Sequence, residues 1–450
     1  MYLVAGLGIT GQSVLRYFQA QGEHCFAYDT RDELDVSKLA KAFPEVEFAT
    51  GHLPTSWIQQ FDTIVLSPGI AQSEPWVNNL RKLGKQVIGD VELFARSVGV
   101  PVIGITGSNG KSSVTTLTGL AFQKAGYNVA VGGNLGEPVL DLLMDENEYD
   151  LYVLELSSFQ LETTYSLQTV SSTVLNISED HMDRYDGLED YIQAKTKLFE
   201  TTDLAVLPEG FSEQGVIHHC PVVHFGISPD FIKSDSDYGL QEENGHLCLA
   251  NGSNCLVKVE DMALQGRHHL LNALAMIALC QPYKLPVEVF RDVLKEFKGL
   301  PHRTQLVVNY RDVEWINDSK GTNVGATLTA IESIGQQAYQ HNGKVILLAG
   351  GVGKEADFSP LQPAVHQYCR EVILFGRDRN LIAEVLPHEQ VRLVETLKEA
   401  VEIAGEVAQP YDCVLLSPAC ASFDQFSNYE ERGKVFESYV GELIAAQEQD

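Results

Sequence analysis

Positive charge is scarce in this 450-residue chain: 32 lysines and arginines face 61 aspartates and glutamates, a formal charge of −29. Such a field repels nucleic acid and anionic membrane surfaces, so neither is expected as a partner. It also gives weight to any cation found among glycines and hydroxyls, where a phosphate or carboxylate would bind. Long apolar runs are missing too; none approaches the ~20 residues of a membrane span. Met1-Tyr-Leu-Val-Ala-Gly6 passes straight into a strand pattern with no basic stretch ahead of an apolar one, so no secretory signal is expected. Cys25, Cys220, Cys248, Cys255, Cys280, Cys369, Cys413 and Cys420 form no C-x-x-C pair and no dense framework. They are expected to be reduced thiols of a cytoplasmic protein. His218, His219 and Cys220 come without a partner set at metal-ligand spacing.

What is present is ordinary globular material: 44% hydrophobic and 21% charged residues, enough for several cores. The length suggests roughly three domains. The most informative stretch is Gly104-Ile-Thr-Gly-Ser-Asn-Gly-Lys-Ser-Ser113. The apolar run Val100–Ile105 enters it and a helical pattern from Ser112 to Ala125 leaves it. Strand, glycine-rich turn and helix aim backbone N–H groups and a helix N-terminus at one anion. Lys111 adds a mobile charge near the β- and γ-phosphates, and the Ser112 hydroxyl is placed to ligate Mg²⁺. The strict G-x-x-x-x-G-K-[ST] spacing would need glycine at Ile105, so the match is to T-G-x-x-G-K-S.

Ahead of this loop, a strand at residues 2–5 runs into Gly6-Leu-Gly-Ile-Thr-Gly11, a helical pattern, and a second strand ending at Asp29-Thr-Arg31. Glycines and acidic residue together read as a dinucleotide fingerprint, or equally as the turn of any doubly wound fold. A strand Phe61–Leu66 stops at Ser67-Pro-Gly69, and Gly99-Val-Pro101 reads as a linker.

Beyond the loop, Leu151-Tyr-Val-Leu-Glu155 is an apolar run closed by a glutamate. Burying an unpaired carboxylate is costly, so Glu155 fits a Mg²⁺ ligand at the carboxyl end of a parallel strand. A strand Ser172–Ile177 ends in a second polar cluster, Ser178-Glu-Asp-His181-Met-Asp-Arg184, and His181 is expected at the metal or phosphate. Tyr191–Glu200 is helical, and composition does not distinguish its Lys195 and Lys197 from surface lysines. After the break at Gly299-Leu-Pro-His-Arg303, strands Val313–Ile316, Lys344–Ala349, Glu371–Phe375 and Cys413–Leu416 each open onto a small or polar loop. Four such loops make the binding edge of a doubly wound sheet.

Taken in order, Thr106–Ser112, Gly133-Asn134, Leu154-Glu-Leu-Ser-Ser-Phe-Gln160, Glu179–Arg184, Leu300-Pro-His-Arg303, Asn317-Asp-Ser-Lys320 and Ser417-Pro-Ala-Cys-Ala-Ser422 resemble the muramyl ligases, ATP-dependent enzymes of peptidoglycan assembly. The match spans essentially the whole chain. Ser-Ser-Phe-Gln, His-Met-Asp-Arg and Ser-Phe-Asp-Gln-Phe are most similar to the branch whose substrates are UDP-N-acetylmuramoyl-L-alanine and D-glutamate.

The resemblance implies three consecutive α/β domains: Rossmann-like over 1–91, P-loop ATPase-like over 92–298, and Rossmann-like over 299–450. It implies ATP, two Mg²⁺ ions, a cytoplasmic location and a monomer. It places the UDP-substrate at Gly8, Ile9, Thr10, Asp29, Thr30, Arg31 and Ser67. ATP falls to Gly107, Ser108, Asn109, Gly110, Lys111, Ser112, Ser113, Asn134, Asn272, Arg303 and Asp318. The metal falls to Ser112, Glu155, His181 and a carbamylated Lys195. The catalytic set is Lys111, Glu155, His181, Lys195 and Lys320, and D-glutamate falls to Thr322, Lys354, Ser422 and Tyr429. Ser113 and Tyr429 depart from the family's usual threonine and phenylalanine. The rival readings are a nicotinamide-dependent oxidoreductase using Gly6–Gly11, a non-catalytic nucleotide-binding regulator, and a ligase of the folylpolyglutamate synthase type.

Overall fold

The computed structural model describes residues 1–212, 219–339 and 341–448; His218 lies outside them. The described chain forms two compact units. One comprises Met1–Asn176, Glu189–Ala263 and Leu270–Glu296; the other comprises Ile177–Leu188, Leu264–His269 and Phe297–Asp450.

The first unit holds two sheets. Strands β1 (Tyr2–Ala5), β2 (Cys25–Asp29), β3 (Glu47–Thr50), β4 (Thr63–Leu66) and β5 (Gln86–Ile88) lie in the order β3-β2-β1-β4-β5, all parallel. The order reverses at β1/β4, so the loops after these two strands flank a ligand crevice. Gly11 is needed there because a Cβ would sit 1.8 Å from the Gly6 carbonyl oxygen. Phe61, expected as strand, precedes β4 and is fully buried.

Helix Asp90–Ser97 carries the chain to the second sheet. Its strands are β6 (Val102–Thr106), β7 (Val129–Gly133), β8 (Leu151–Glu155), β9 (Ser171–Val174), β10 (Ala205–Pro208), β11 (Val222–Phe225), β12 (Asp237–Glu243), β13 (His246–Asn251) and β14 (Asn254–Lys258). They lie in the order β14-β13-β12-β11-β10-β9-β6-β8-β7, with β13 and β14 added antiparallel. Core strand β8 is buried at every position, as its unbroken apolar run requires when helices cover both faces. Expected strand Ser172–Ile177 leaves the ladder at Val174, because β6 has by then curled into the glycine-rich loop. The helix expected over Tyr191–Glu200 spans Leu188–Thr196 and tightens to a 3₁₀ turn over Lys197–Thr201.

The two sheets share one apolar core, in which Val4, Val14 and Phe18 join Leu140, Tyr152 and Leu154. Arg16 Nη2 lies 2.6 Å from Asp141 Oδ2 at its rim. Glu92, on the connecting helix, accepts from the Tyr165 and Ser166 N–H groups.

The second unit carries β15 (Gln305–Tyr310), β16 (Val313–Asn317), β17 (Val345–Gly350), β18 (Cys369–Phe375), β19 (Val391–Leu393) and β20 (Cys413–Leu416). Their order is β15-β16-β20-β17-β18-β19, parallel apart from the β15–β16 hairpin. Helices cover both faces, giving one core around Leu347 and Leu415 and another around Ile346 and Val414.

The cysteine expectation needs one correction: Cys248 and Cys255 are disulfide-bonded, with Cα atoms 5.6 Å apart. Their partnership depends on strand register, which spacing does not reveal. No described helix is long and apolar enough to cross a membrane.

Candidate active site

In the first unit the site is built at the carboxyl end of β6, between β8 and β9. Gly110 begins helix Lys111–Lys124 at φ +83°, and a Cβ there would lie 2.7 Å from Asn272 Oδ1; only glycine meets both demands. The Lys111 ammonium folds back onto the loop, donating to the Gly107 and Ser108 carbonyls at 2.8 and 3.0 Å. The loop is braced from just beyond β9 by Asn176, whose side-chain oxygen accepts from Asn109 N–H at 2.8 Å and whose amide donates to the Asn109 carbonyl at 2.9 Å. Tyr191 OH lies 3.2 Å from Ser108 Oγ.

Glu155 closes β8 and is 2% exposed. Its carboxylate accepts from Ser112 Oγ at 2.5 Å and from Asn134 Nδ2 at 2.6 Å. Charge-assisted bonds of this kind offset burial of a carboxylate. A hydroxyl and a carboxylate at a phosphate loop are hard oxygen donors, the set that suits Mg²⁺, and Thr106 Oγ1 next to the loop is buried with no hydrogen-bond partner among the described residues. Lys195, 1% exposed, is far from a surface lysine. Its ammonium donates to the Gly107 carbonyl at 3.0 Å and lies 4.5 Å from the Tyr191 ring centroid. An ammonium has donors only, so unmodified Lys195 adds positive charge to the loop and is no metal ligand.

At the first crevice, Asp29 accepts from Leu7 N–H (2.8 Å) and Arg31 N–H (3.0 Å), and from Arg31 Nε and Nη2, both at 2.8 Å. Burial alone would raise its pKa, but the Arg31 side chain and the two backbone donors hold it down at about 2. Ser67 Oγ donates to the Gly6 carbonyl across the switch point. Gly8 caps helix Ile9–Gln21 and Thr10 lies in its first turn, Ile9 is 77% exposed, and Thr30 follows directly on β2. The expected substrate residues of this region therefore line one sheet edge.

The second unit gathers the remaining candidates. Asp318, at the end of β16, accepts from Thr304 N–H at 3.0 Å and Ser417 Oγ at 2.7 Å. Burial dominates and pushes its pKa up to about 6, against the pull of those bonds and of Arg303. Lys320 lies 3.9 Å from the Tyr429 ring centroid, and its N–H donates to the His302 carbonyl. Lys354 Nζ donates to Asp180 Oδ1 at 2.6 Å, and Asn323 donates to the other oxygen. Burial would raise the Asp180 pKa, but the Lys354 and His181 charges hold it below the ordinary value. His181 Nε2 is 3.7 Å from Asp180 Oδ2. His181, His302 and Lys354 all have φ near +50 to +60°. Such left-handed residues cost on the order of 1 kcal/mol each and gather at working sites. Ser422 is buried, and Thr322 is half-buried.

Arg432 was not among the candidates. It is fully buried, and its guanidinium donates to Ser319 Oγ, the Ser319 carbonyl and the Cys420 carbonyl. One side chain thus ties the loop after β16 to the loop after β20. Burial lowers its pKa to about 10. On a helix beginning Tyr429-Glu-Glu-Arg, nothing separates it by pattern from a solvated charge. Asp180, Asn176 and Tyr191 were also passed over; Asp180, beside His181 in a polar cluster, was the one open to detection.

A phosphate loop with a buried acidic residue on the neighbouring strand, preceded and followed along the chain by a further α/β module, defines an ATP-using enzyme of modular build. The chain belongs to the Mur ligase family. Family models match consecutively: the Mur ligase MurD-like N-terminal domain at residues 1–89, the Mur ligase middle domain at 105–280, and the Mur ligase glutamate ligase domain at 302–420. The chain is similar to the UDP-N-acetylmuramoylalanine–D-glutamate ligase of Hydrogenovibrio crunogenus, with 60% identity over 99% of this chain and 98% of that one. The Coxiella burnetii protein of the same name is 44% identical over 98% of each. Among solved structures, the MurF ligase of Thermotoga maritima in complex with ADP matches with a TM-score of 0.63 at 16% identity, over 98% of this chain and 95% of that one; that likeness concerns the fold.

Proposed function

We propose that the chain joins D-glutamate to UDP-N-acetylmuramoyl-L-alanine with cleavage of ATP to ADP and phosphate, a step of peptidoglycan precursor synthesis. The observation that carries the reading is the Ser112–Glu155–Asn134 cluster beside the Lys111 loop; the relatives' identity supports the choice of substrates. A nicotinamide oxidoreductase and a folylpolyglutamate synthase are not favoured by those relatives.

A carboxylate and an amine do not condense in water, because oxide is a poor leaving group. The substrate carboxylate attacks the γ-phosphorus of ATP, ADP leaves, and an acyl phosphate forms. The D-glutamate amine then attacks the acyl carbon, and inorganic phosphate departs with the C–O bond. Such transfer depends on alignment and charge neutralisation. Lys111 and the N–H groups of residues 107–113 hold the β- and γ-phosphates; Asn134, Arg303 and Lys320 contact the transferred group. Asn272 takes the adenine and Asp318 the ribose. Gly8, Ile9, Thr10, Asp29, Thr30, Arg31 and Ser67 take the UDP moiety. Lys354, Thr322, Ser422 and Tyr429 take D-glutamate, whose two carboxylates call for a cation and hydroxyl donors.

Ser112, Glu155, His181 and Lys195, the last as its carbamate, would hold two Mg²⁺ ions, which supply charge neutralisation of the phosphates. The assignment extends to three domains over 1–91, 92–298 and 299–450, working as a cytoplasmic monomer. The test is phosphate release from ATP and UDP-N-acetylmuramoyl-L-alanine with D-glutamate, L-glutamate, L-alanine or L-lysine in turn. D-glutamate alone is expected to trigger turnover; equal turnover with L-glutamate refutes the assignment.

A further inference from the structure

The last hairpin of the nine-stranded sheet joins two cysteines that the ligase chemistry does not use. In the β13–β14 ladder Ala250 faces Cys255 while Leu249 faces Val257, so Leu256 is the extra residue of a bulge. Cys248 shares a face with Ala250 and meets Cys255 on the diagonal, forming the disulfide. The two sulfurs sit in unlike surroundings: Cys248 is fully buried, whereas Cys255 is only half-buried at the sheet edge. The exposed Glu243 brings a carboxylate oxygen within 4.8 Å of both. That negative neighbour disfavours a thiolate at either sulfur, so neither thiol of the opened pair is an activated nucleophile. Among the described residues Cys25, Cys280, Cys369, Cys413 and Cys420 are buried, and burial pushes each thiol upward, which keeps them inert.

We propose that Cys248–Cys255 is a thiol–disulfide exchange site for small thiols of the glutathione class, with Cys255 the sulfur attacked. The incoming thiolate bonds to Cys255 Sγ as the Cys248–Cys255 bond breaks, and the electron pair leaves on Cys248 Sγ, which takes up a proton. A second small thiol attacks the mixed disulfide and releases Cys255 as a thiol. Two small thiols are oxidised to their disulfide as the protein disulfide is reduced; the oxidised small disulfide drives the reverse. The bulge also has a structural partner. Arg291 Nε, on helix Val287–Glu296, donates to the Leu256 carbonyl at 2.9 Å, and Glu296 at that helix's end holds Lys124 of the phosphate-loop helix at 2.8 Å. Opening the bond frees the bulge that anchors Arg291. None of this depends on which reaction the active site performs.

The test uses the full chain, with a chelator present to exclude metal capture. It is equilibrated with oxidised and then reduced glutathione, quenched by alkylation and mapped by mass spectrometry. Two additional alkylated cysteines, 248 and 255, are expected in the reduced sample and lost again on reoxidation. Hydrogen exchange over residues 246–258 and at Arg291 is expected to quicken on reduction. In Cys248→Ser, Cys255 is expected to acquire glutathione from its oxidised form at least tenfold faster than Cys248 does in Cys255→Ser. Absence of a 248–255 bond under oxidised glutathione, its survival in excess reduced glutathione, or equal capture at both positions would overturn the proposal. Should a serine variant fail to fold, the wild-type alkylation counts decide.

Discussion

The Ser112 hydroxyl donates to the Glu155 carboxylate at 2.5 Å, joining the first turn of the phosphate-loop helix to the end of the neighbouring strand. Asn134 holds the other carboxylate oxygen, so the acid is aimed from both sides before any ligand arrives. Glu155→Gln keeps the shape and removes the charge. Turnover is expected to fall by about 10²–10³, the usual cost of losing one preorganised charge at a developing phosphoryl centre, and raising Mg²⁺ is not expected to restore it. Phosphate release measured across a Mg²⁺ series checks this.

Lys111 reaches two loop carbonyls with its ammonium and stands at the first position of its helix. Lys111→Ala is therefore expected to lower phosphate release by a similar factor of about 10²–10³ while the thermal midpoint stays near that of the parent. A large fall in the midpoint would mean the ammonium is structural.

Asp318 has the opposite electrostatic position to Asp29. Its folded pKa, about 6, lies above the ordinary 3.8, so its protonated form favours folding. That contribution is fully present below 3.8 and is lost as pH rises through about 6. Asp318→Asn is thus expected to be more stable than the parent at about pH 8, on the order of 3 kcal/mol, with the gap closing towards pH 4. It is expected to lose activity at every pH. Denaturant titrations at several pH values check the sign.

Asp29 has a folded pKa of about 2, below the ordinary 3.8. Its stabilising contribution is present above 3.8 and is lost as pH falls towards 2. Asp29→Asn should be less stable than the parent at neutral pH, with the difference shrinking as the solution is acidified. KM for the UDP-substrate should rise more than kcat falls.

Arg432 fills a buried site with three acceptors around it. Arg432→Met removes the donor from all three and is expected to destabilise the second unit by about 2–4 kcal/mol, read in an unfolding titration.

The phosphate loop was legible because its function is written in consecutive residues: glycines that must bend, then a lysine, then a hydroxyl. Glu155 was legible for a different reason, a carboxylate ending a run that has to be buried. Lys195 could not be told by composition from Lys197, because its burial comes from contact with the Gly107 carbonyl, distant in sequence, while its i−4 neighbour Tyr191 shares its helix face. Asn176 and Arg432 act through contacts across long separations and match no periodic pattern. The disulfide was hidden by a single bulged residue, Leu256, which sets the register that brings its cysteines together.

The central claim is that the substrate carboxylate takes the γ-phosphoryl group before it meets the amine. It is tested most directly with UDP-N-acetylmuramoyl-L-alanine labelled with ¹⁸O in its alanyl carboxylate. On turnover with ATP and D-glutamate, one labelled oxygen should appear in the released inorganic phosphate. Unlabelled phosphate, with both labelled oxygens kept elsewhere, would contradict it.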